Sequence, residues 1–173
     1  MEESHKCPEC GAVWATGENC ETDFHQMLFW EAENPAYGAE VHHLMVLCYH
    51  LQHPSLYSLE GLNEGQRLLV DFVERGLSPT EVRKRNRARV DSSQRDWKIK
   101  GTPASHASYD PPIKWTMTAA DVVADGVDHY CENVHAWAIS INELLKASYQ
   151  IRASSASRKA KRVVQSTKQR GLS

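Results

Sequence analysis

The sequence lacks a long hydrophobic run, and its longest apolar stretch, residues 44–49, ends at His50. That is far short of the ~20 apolar residues that a transmembrane helix needs. A secretory signal is also missing, because the first six residues, MEESHK, are acidic and polar. These two absences predict a cytoplasmic protein with reduced thiols, in which five cysteines, an odd number, favour metal binding over disulfides.

The sequence also has no internal repeat and no convincing alternation of apolar and polar residues. We therefore predict no strands beyond short extended pieces near the N-terminus. Its 173 residues are 41% hydrophobic and 24% charged, which suits one compact soluble domain with a small appendage. Helical spacing dominates instead, so the predicted fold is mainly α, a bundle of about five helices with an N-terminal cysteine knuckle.

Proline, glycine and capping residues mark the ends of the predicted helices. The first two helices are predicted at residues 21–33 and between Gly38 and Pro54. The third occupies residues 63–75 and begins with the capping box Asn63-x-x-Gln66. The fourth runs from residue 79 into the run RKRNRAR, and the fifth runs from residue 119 to about residue 151. Two starts are well marked, by Ser78-Pro79-Thr80-Glu81 and by Thr118-x-x-Asp121. Residues 98–116 form a long loop that Trp115 anchors to the body.

Charge is unevenly distributed, although the net charge is only −2. Residues 1–82 carry −11 and residues 101–150 carry −4, whereas residues 83–100 carry +6 and residues 151–173 carry +7. Because residues 152–173 are rich in Ser and Lys and poor in apolar residues, we predict a basic, disordered tail there. RKRNRAR and the tail lack aromatic side chains for stacking bases, so nucleic-acid binding is less favoured than a solvated face or packing against the acidic body.

The strongest chemical signal is the run CPECG at residues 7–11, followed by Cys20. Two cysteines separated by two residues can bind one ion, and glycine accepts the positive φ that such a turn requires. No βαβ pattern surrounds the pair, which disfavours a thioredoxin-like redox role. We therefore predict a zinc knuckle over residues 1–20, packed on a helical bundle domain over residues 21–151.

The fourth ligand can be predicted from helix geometry. If Cys20 begins a helix, His25 lies about 140° around that helix and points away from the ion. If the first two helices form an antiparallel hairpin centred between residues 36 and 37, residue 20 faces residue 53. The predicted metal ligands are therefore Cys7, Cys10, Cys20 and His53, with His25, His50, solvent or an acidic residue as alternatives. His53 could instead only complement the helix dipole.

A site with four protein ligands is closed to substrates, so its expected role is to hold the knuckle against the hairpin.

A second site is an alternative, built from His42, His129 and neighbouring carboxylates and acting in a metal-dependent enzyme. The competing interpretation is a buried, hydrogen-bonded pair of histidines with Tyr49 and Gln52 as partners.

Two Glu-x-x-His elements, Glu40–His43 and Glu132–His135, match a pattern found in di-iron helical bundles. Such a site would need further carboxylates, for which Glu31 and Asp71 are candidates. The pattern is short, and Glu40 lies at the very start of its predicted helix. We therefore do not favour this interpretation.

The order of several motifs resembles an uncharacterised bacterial family, a domain of unknown function with CPxCG, VHxLxV and YxLQHP motifs. The resemblance covers most of residues 7–145 and leaves the basic tail outside. The positions that match the family motifs are Cys7, Cys10, Cys20, His42, Gln52, His53 and His129, whereas His25 and His43 do not match. The resemblance implies no activity.

Together these observations predict a small cytoplasmic zinc protein that acts as a binding or regulatory module, with a structural Cys3His site and a protein partner. The alternative is a metal-dependent enzyme that uses His42 and His129. Nucleic-acid binding through the basic segments is the least favoured function, and no catalytic residue is assigned.

Overall fold

The computed structural model describes residues 5–15, 17–90 and 98–170, and for residues 86, 88–90 and 151–170 it describes the backbone alone. Its elements are β1 His5–Lys6, β2 Val13–Trp14, α1 Cys20–Glu33, α2 Pro35–Gln52, α3 Leu59–Val73, α4 Pro79–Val90, α5 Ala119–Ala124 and α6 Tyr130–Arg170. Single 3-10 turns lie at Pro54–Leu56 and Val127–His129. The mainly α bundle is thus confirmed, and the short extended pieces form a two-stranded antiparallel hairpin.

Helices α1 and α2 form the predicted hairpin, joined by a single residue. Asn34 ends α1 through its backbone N–H, which donates to the Trp30 carbonyl, and starts α2 through its side chain, which accepts from the Ala36 N–H at 3.2 Å. The predicted turn through Gly38 was wrong, because Pro35 occupies the first helical position, where its fixed φ suits a helix start. Gly38 therefore lies inside α2.

Helix α3 begins earlier than predicted. The Ser58 hydroxyl accepts from the Gly61 N–H at 3.0 Å and donates to the Lys98 carbonyl, so this residue caps the helix instead of Asn63. The predicted start of α4 is confirmed, because the Ser78 N–H donates to the Glu81 carboxylate at 3.0 Å and the Glu81 N–H donates back to the Ser78 hydroxyl.

The predicted fifth helix is two helices. Its start is confirmed, since the Thr118 N–H and hydroxyl donate to Asp121 at 2.7 and 2.8 Å. Helix α5 then ends, because Gly126 adopts φ +81° and ψ −179°, a conformation in which only glycine is unstrained. The chain passes through a 3-10 turn before α6 begins.

Helix α6 extends beyond the predicted boundary near residue 151, with a helical backbone through Arg170. Residues 151–170 contain no glycine or proline and are rich in Ala, Lys, Arg and Gln, which favour helix even without an apolar stripe. Poor hydrophobicity was therefore the wrong criterion for ending this helix. Residues 171–173 lie outside the described part of the chain.

Helix α2 forms the centre of the bundle and packs against α1, α3 and α6. Its buried side chains include Val41, Leu44, Met45, Leu47, Cys48 and Leu51. From α6, Trp137 and Ile141 enter the same core. Across the long loop, Trp115 lies edge-on to Tyr109 and packs against both the bundle core and the knuckle, which confirms its predicted anchoring role.

Part of the basic segment is neutralised within the bundle. On α3, the buried Asp71 accepts from Arg75 at 2.5 Å and lies 3.8 Å from Arg85 of α4. This arrangement favours packing of the positive segment against the acidic body, although residues 91–97 lie outside the described structure. None of the helices in the described residues is both long and apolar enough to traverse a membrane.

Two glycine-to-alanine substitutions should change stability in opposite directions. Gly126→Ala should lower the free energy of unfolding by about 1–3 kcal/mol, because the strain is purely conformational and the added methyl meets no atom within 4 Å. Gly38→Ala should raise it by about 0.5–1 kcal/mol, because it lies in a helix and the added methyl makes an ordinary 3.6 Å contact with Glu31. Urea unfolding of both variants tests this, and equal signs would contradict it.

Candidate metal centre

The N-terminal hairpin places two thiols side by side. Gly11, at φ +80°, donates its N–H to the Cys7 carbonyl, and the Cys7 N–H donates to Ala12 O at 2.9 Å. The Ala12 N–H in turn donates to Cys10 Sγ at 3.5 Å. These bonds fold the CPECG turn so that both sulfurs lie on its inner side, with Cys7 8% and Cys10 3% exposed.

The third thiol lies at the N-terminus of α1. Asn19 caps this helix by accepting from the Glu21 and Thr22 N–H groups at 2.9 and 3.0 Å, which makes Cys20 its first residue. The positive end of the helix dipole favours a thiolate at that position. Cys20 Sγ lies 3.3 Å from Cys10 Sγ, much longer than the ~2.05 Å of a disulfide.

The imidazole comes from the far end of the hairpin. His53 follows the last residue of α2, and its Nδ1–H donates to the Tyr49 carbonyl at 2.7 Å. This bond leaves Nε2 free to face the thiols. Nε2 lies 3.7 Å from Cys7 Sγ. The Tyr49 ring covers the imidazole, with centroids 4.4 Å apart.

One ligand atom from each of Cys7, Cys10, Cys20 and His53 lies within 4.8 Å of the others, so this Cys3His cluster could hold one metal ion. The hairpin thus brings residue 53 to residue 20 as the helix geometry predicts. The two alternative histidines are elsewhere: His25 is exposed beside Phe24, and His50 lies 3.2 Å from the Tyr57 hydroxyl.

The electrostatics of the cluster favour binding of a cation. The hydrogen bond from Cys20, helped by His53, lowers the pKa of Cys10 to about 4. Burial lowers the pKa of His53, but hydrogen bonds to Cys10 and to the Tyr49 carbonyl outweigh it and raise the pKa to about 9. Donation to the Cys10 thiolate raises the pKa of Cys20 above its usual range. An ion bound here would displace the protons that these groups share.

Two further contacts hold the knuckle on the bundle, and no sequence pattern predicted them. The Glu9 carboxylate accepts from the Ser55 N–H at 3.0 Å and from its hydroxyl at 2.8 Å, which ties the CPECG turn to the segment after α2. The buried Trp14 indole donates to Asp23 of α1 at 3.0 Å. The first contact joins residues that are far apart in the sequence, and the second joins a strand to a helix. The spacing of residues in the sequence therefore indicates neither contact.

The structure does not gather the second predicted site. His42 Nδ1 lies 2.5 Å from Glu31, whereas His129 is exposed in the 3-10 turn before α6. The alternative of a buried histidine pair is wrong as well, since the Gln52 amide donates to the Met117 carbonyl and Glu31 is the partner of His42.

The di-iron elements do not form a metal site either, although one residue of each is in contact with the other. Glu40 lies 3.6 Å from His135 at the surface, while the two further carboxylates that such a site would need, Glu31 and Asp71, are occupied by His42 and by arginines. In the part of the chain that the structure describes, the Cys3His cluster is the one group of three or more ligand side chains within reach of one ion.

Comparison with protein families gives a match over residues 5–146, a range that contains all four clustered residues. The chain belongs to DUF5946, a family of unknown function. The end of α6 lies outside the region that the DUF5946 model matches. Comparison with curated proteins and with solved structures found no match.

Burial raises the pKa of Asp23, although the bond from Trp14 opposes this. Since the unfolded state releases that proton at lower pH than the folded state, Asp23 should reduce stability as pH rises through the interval between the two pKa values. Asp23→Asn keeps an acceptor for Trp14 and cannot ionise. Its stability relative to wild type should therefore increase from pH 4 to pH 7.

Denaturant unfolding across that pH range measures the difference, with the exposed Thr22→Ser as the control, because it changes no titrating group and its difference from wild type should stay constant. An advantage of Asp23→Asn that shrinks as pH rises would contradict the burial argument.

Proposed function

We propose that this chain is a small zinc-binding protein in which a structural Cys3His zinc ion fixes the N-terminal knuckle to a helical binding or regulatory module. The observation that carries the proposal is the convergence of three buried thiols and one buried imidazole from three separate segments. The reduced thiols that such a site needs suit a cytoplasmic location.

The distances support a tetrahedral zinc ion. With Zn–S near 2.3 Å and Zn–N near 2.0–2.1 Å, a tetrahedron has S···S edges of about 3.8 Å and S···N edges of about 3.6 Å. The Cys7 Sγ···His53 Nε2 distance of 3.7 Å matches the second value. The Cys10 Sγ···Cys20 Sγ distance of 3.3 Å is slightly short, so a bound ion would have to separate these two sulfurs by a few tenths of an ångström.

The composition of the cluster supports a structural role. Three thiolates and one imidazole are a common ligand set of structural zinc sites, and four protein ligands leave no position for a reacting water. All four residues are at most 8% exposed. The Nδ1 bond of His53 to Tyr49 is the kind of outer contact that fixes the orientation of a ligating imidazole.

A groove next to the knuckle supports the binding role. It has a volume of about 820 Å³, and residues 6–13 form one wall while residues 112–116 form the other. Val13 in this wall is 57% exposed. Because the knuckle owes its shape to the cluster, zinc would set the form of this surface and thereby its capacity to bind a partner.

The purified chain should contain one zinc ion, measured by elemental analysis. Cys20→Ser and His53→Gln should each weaken zinc affinity by more than about 100-fold, because even changes outside the ligand set typically cost 10–100-fold. Cys131→Ser is the matched control, since this thiol lies outside the cluster, and it should retain the full zinc content. Undiminished zinc in both ligand variants would refute the proposed site.

Chelation should also change the environment of Trp115, which lines the groove and packs against the knuckle. We expect a shift in tryptophan emission when zinc is removed, reversed when zinc is added back. The shift should be reduced in Trp115→Phe and should persist in Trp137→Phe, because Trp137 lies in the bundle core away from the knuckle cluster. An emission spectrum that zinc leaves unchanged would argue against a groove shaped by the metal.

A further inference from the structure

A second polar cluster lies within the α1–α2 hairpin, away from the thiols. Glu31 of α1 and His42 of α2 lie the same number of residues from the hairpin centre, which is between residues 36 and 37. The same is true of Cys20 and His53. Eleven residues separate the two positions on each helix, which is close to three full turns or roughly 16 Å. The same faces of the two helices therefore carry both clusters.

The second cluster contains a buried carboxylate bonded to groups on two other helices. Glu31 Oε2 lies 2.5 Å from His42 Nδ1, and Glu31 Oε1 accepts from the Tyr130 hydroxyl of α6 at 2.8 Å. Glu31 is 8% exposed and Tyr130 is fully buried. Burial and the bond to Glu31 raise the pKa of Tyr130, so its hydroxyl remains a donor.

These bonds determine which nitrogen of His42 is available. A carboxylate accepts hydrogen bonds, so Glu31 holds the proton of the neutral imidazole on Nδ1 and leaves the lone pair on Nε2. None of the hydrogen bonds of the described residues uses Nε2, and the His42 side chain is 41% exposed. An oriented imidazole with an accessible lone pair is the arrangement of a general base.

His42 lines a pocket of about 150 Å³, a size at which an apolar cavity can hold a single benzene ring. Its other lining residues are His43, Val46, Leu47, Tyr57, Leu68 and Val82. Burial lowers the pKa of His43, so its imidazole is neutral at pH 7. Burial raises the pKa of Tyr57 to about 12, so its hydroxyl is neutral as well.

We propose that His42 acts as a general base in the hydrolysis of an ester that places one small apolar group in this pocket. Its Nε2 takes a proton from a water molecule while the water oxygen bonds to the carbonyl carbon. The carbon–oxygen bond to the leaving group then breaks, and the departing alkoxide or phenolate receives the proton from His42 or from solvent. Glu31 and Tyr130 are positioning residues, because they act through His42.

The test uses 4-nitrophenyl acetate and the full-length protein, with release of nitrophenolate followed at pH 7. His42→Gln should lower the rate of hydrolysis, after subtraction of the buffer background, by at least about 100-fold, because a general base usually contributes at least that factor. It should still fold, because the Gln amide can donate to Glu31. His25→Gln removes an exposed histidine on α1 and should leave the rate unchanged.

Glu31→Gln separates positioning from folding. An amide can donate as well as accept, so it no longer holds the proton on Nδ1, and the rate should fall by about tenfold or more. Nitrogen-detected NMR of the His42 ring should show a mixture of tautomers in this variant and Nδ1–H alone in wild type. Val46→Phe, which fills the pocket, should raise KM while the tautomer stays unchanged.

Equal rates for wild type and a folded His42→Gln would overturn the proposal and leave a purely structural link between three helices. A burst of one nitrophenolate per chain would also overturn it, because that result marks acylation of a side chain in place of base-assisted attack by water.

Discussion

The N-terminal part of this molecule depends on one interaction, the convergence of three thiols and an imidazole that are buried within 4.8 Å of one another. Without an ion or shared protons, three thiolates at this separation would repel one another in a region of low dielectric. With a cation between them, the same groups join β1–β2, the start of α1 and the end of α2. The hairpin of two-residue strands is too short to be stable alone, so its position rests on this cluster and on the Glu9–Ser55 and Trp14–Asp23 contacts.

The register of the α1–α2 hairpin is the constraint that determines the site. In two polar cross-helix pairs, Cys20–His53 and Glu31–His42, the two residues are equally far along the chain from a point between residues 36 and 37. Spacings of eleven residues keep each pair on the same helix faces. A shift of one residue in this register would rotate His53 by about 100° and remove it from the thiols, so the two polar pairs and the apolar core specify one arrangement.

This register explains what the sequence could and could not predict. The position of His53 follows from the centre of the hairpin, and it is correct although the connecting turn was misplaced, because Pro35 starts α2 without moving that centre. The same argument, applied to residue 31, would have identified Glu31 as the partner of His42, a pair that we missed. By contrast, we did not predict that Ser58 caps α3 or that Gly126 ends α5. Both depend on local backbone conformation, and other residues nearby gave competing signals for the helix boundaries. The Tyr130–Glu31 bond joins residues 99 positions apart and has no local signal.

Because α1 carries both Cys20 and Glu31 while α2 carries both His53 and His42, the two clusters hold the same pair of helices at different levels. The thiol cluster fixes the end of the hairpin nearest the knuckle, and the carboxylate–imidazole pair fixes the level near the connecting residue Asn34. A fixed separation of α1 and α2 is what keeps Glu31 within 2.5 Å of His42, since the carboxylate cannot follow an imidazole that moves with its helix. A metal ion at the thiols would therefore stabilise, through two rigid helices, the geometry in which His42 Nδ1 contacts Glu31.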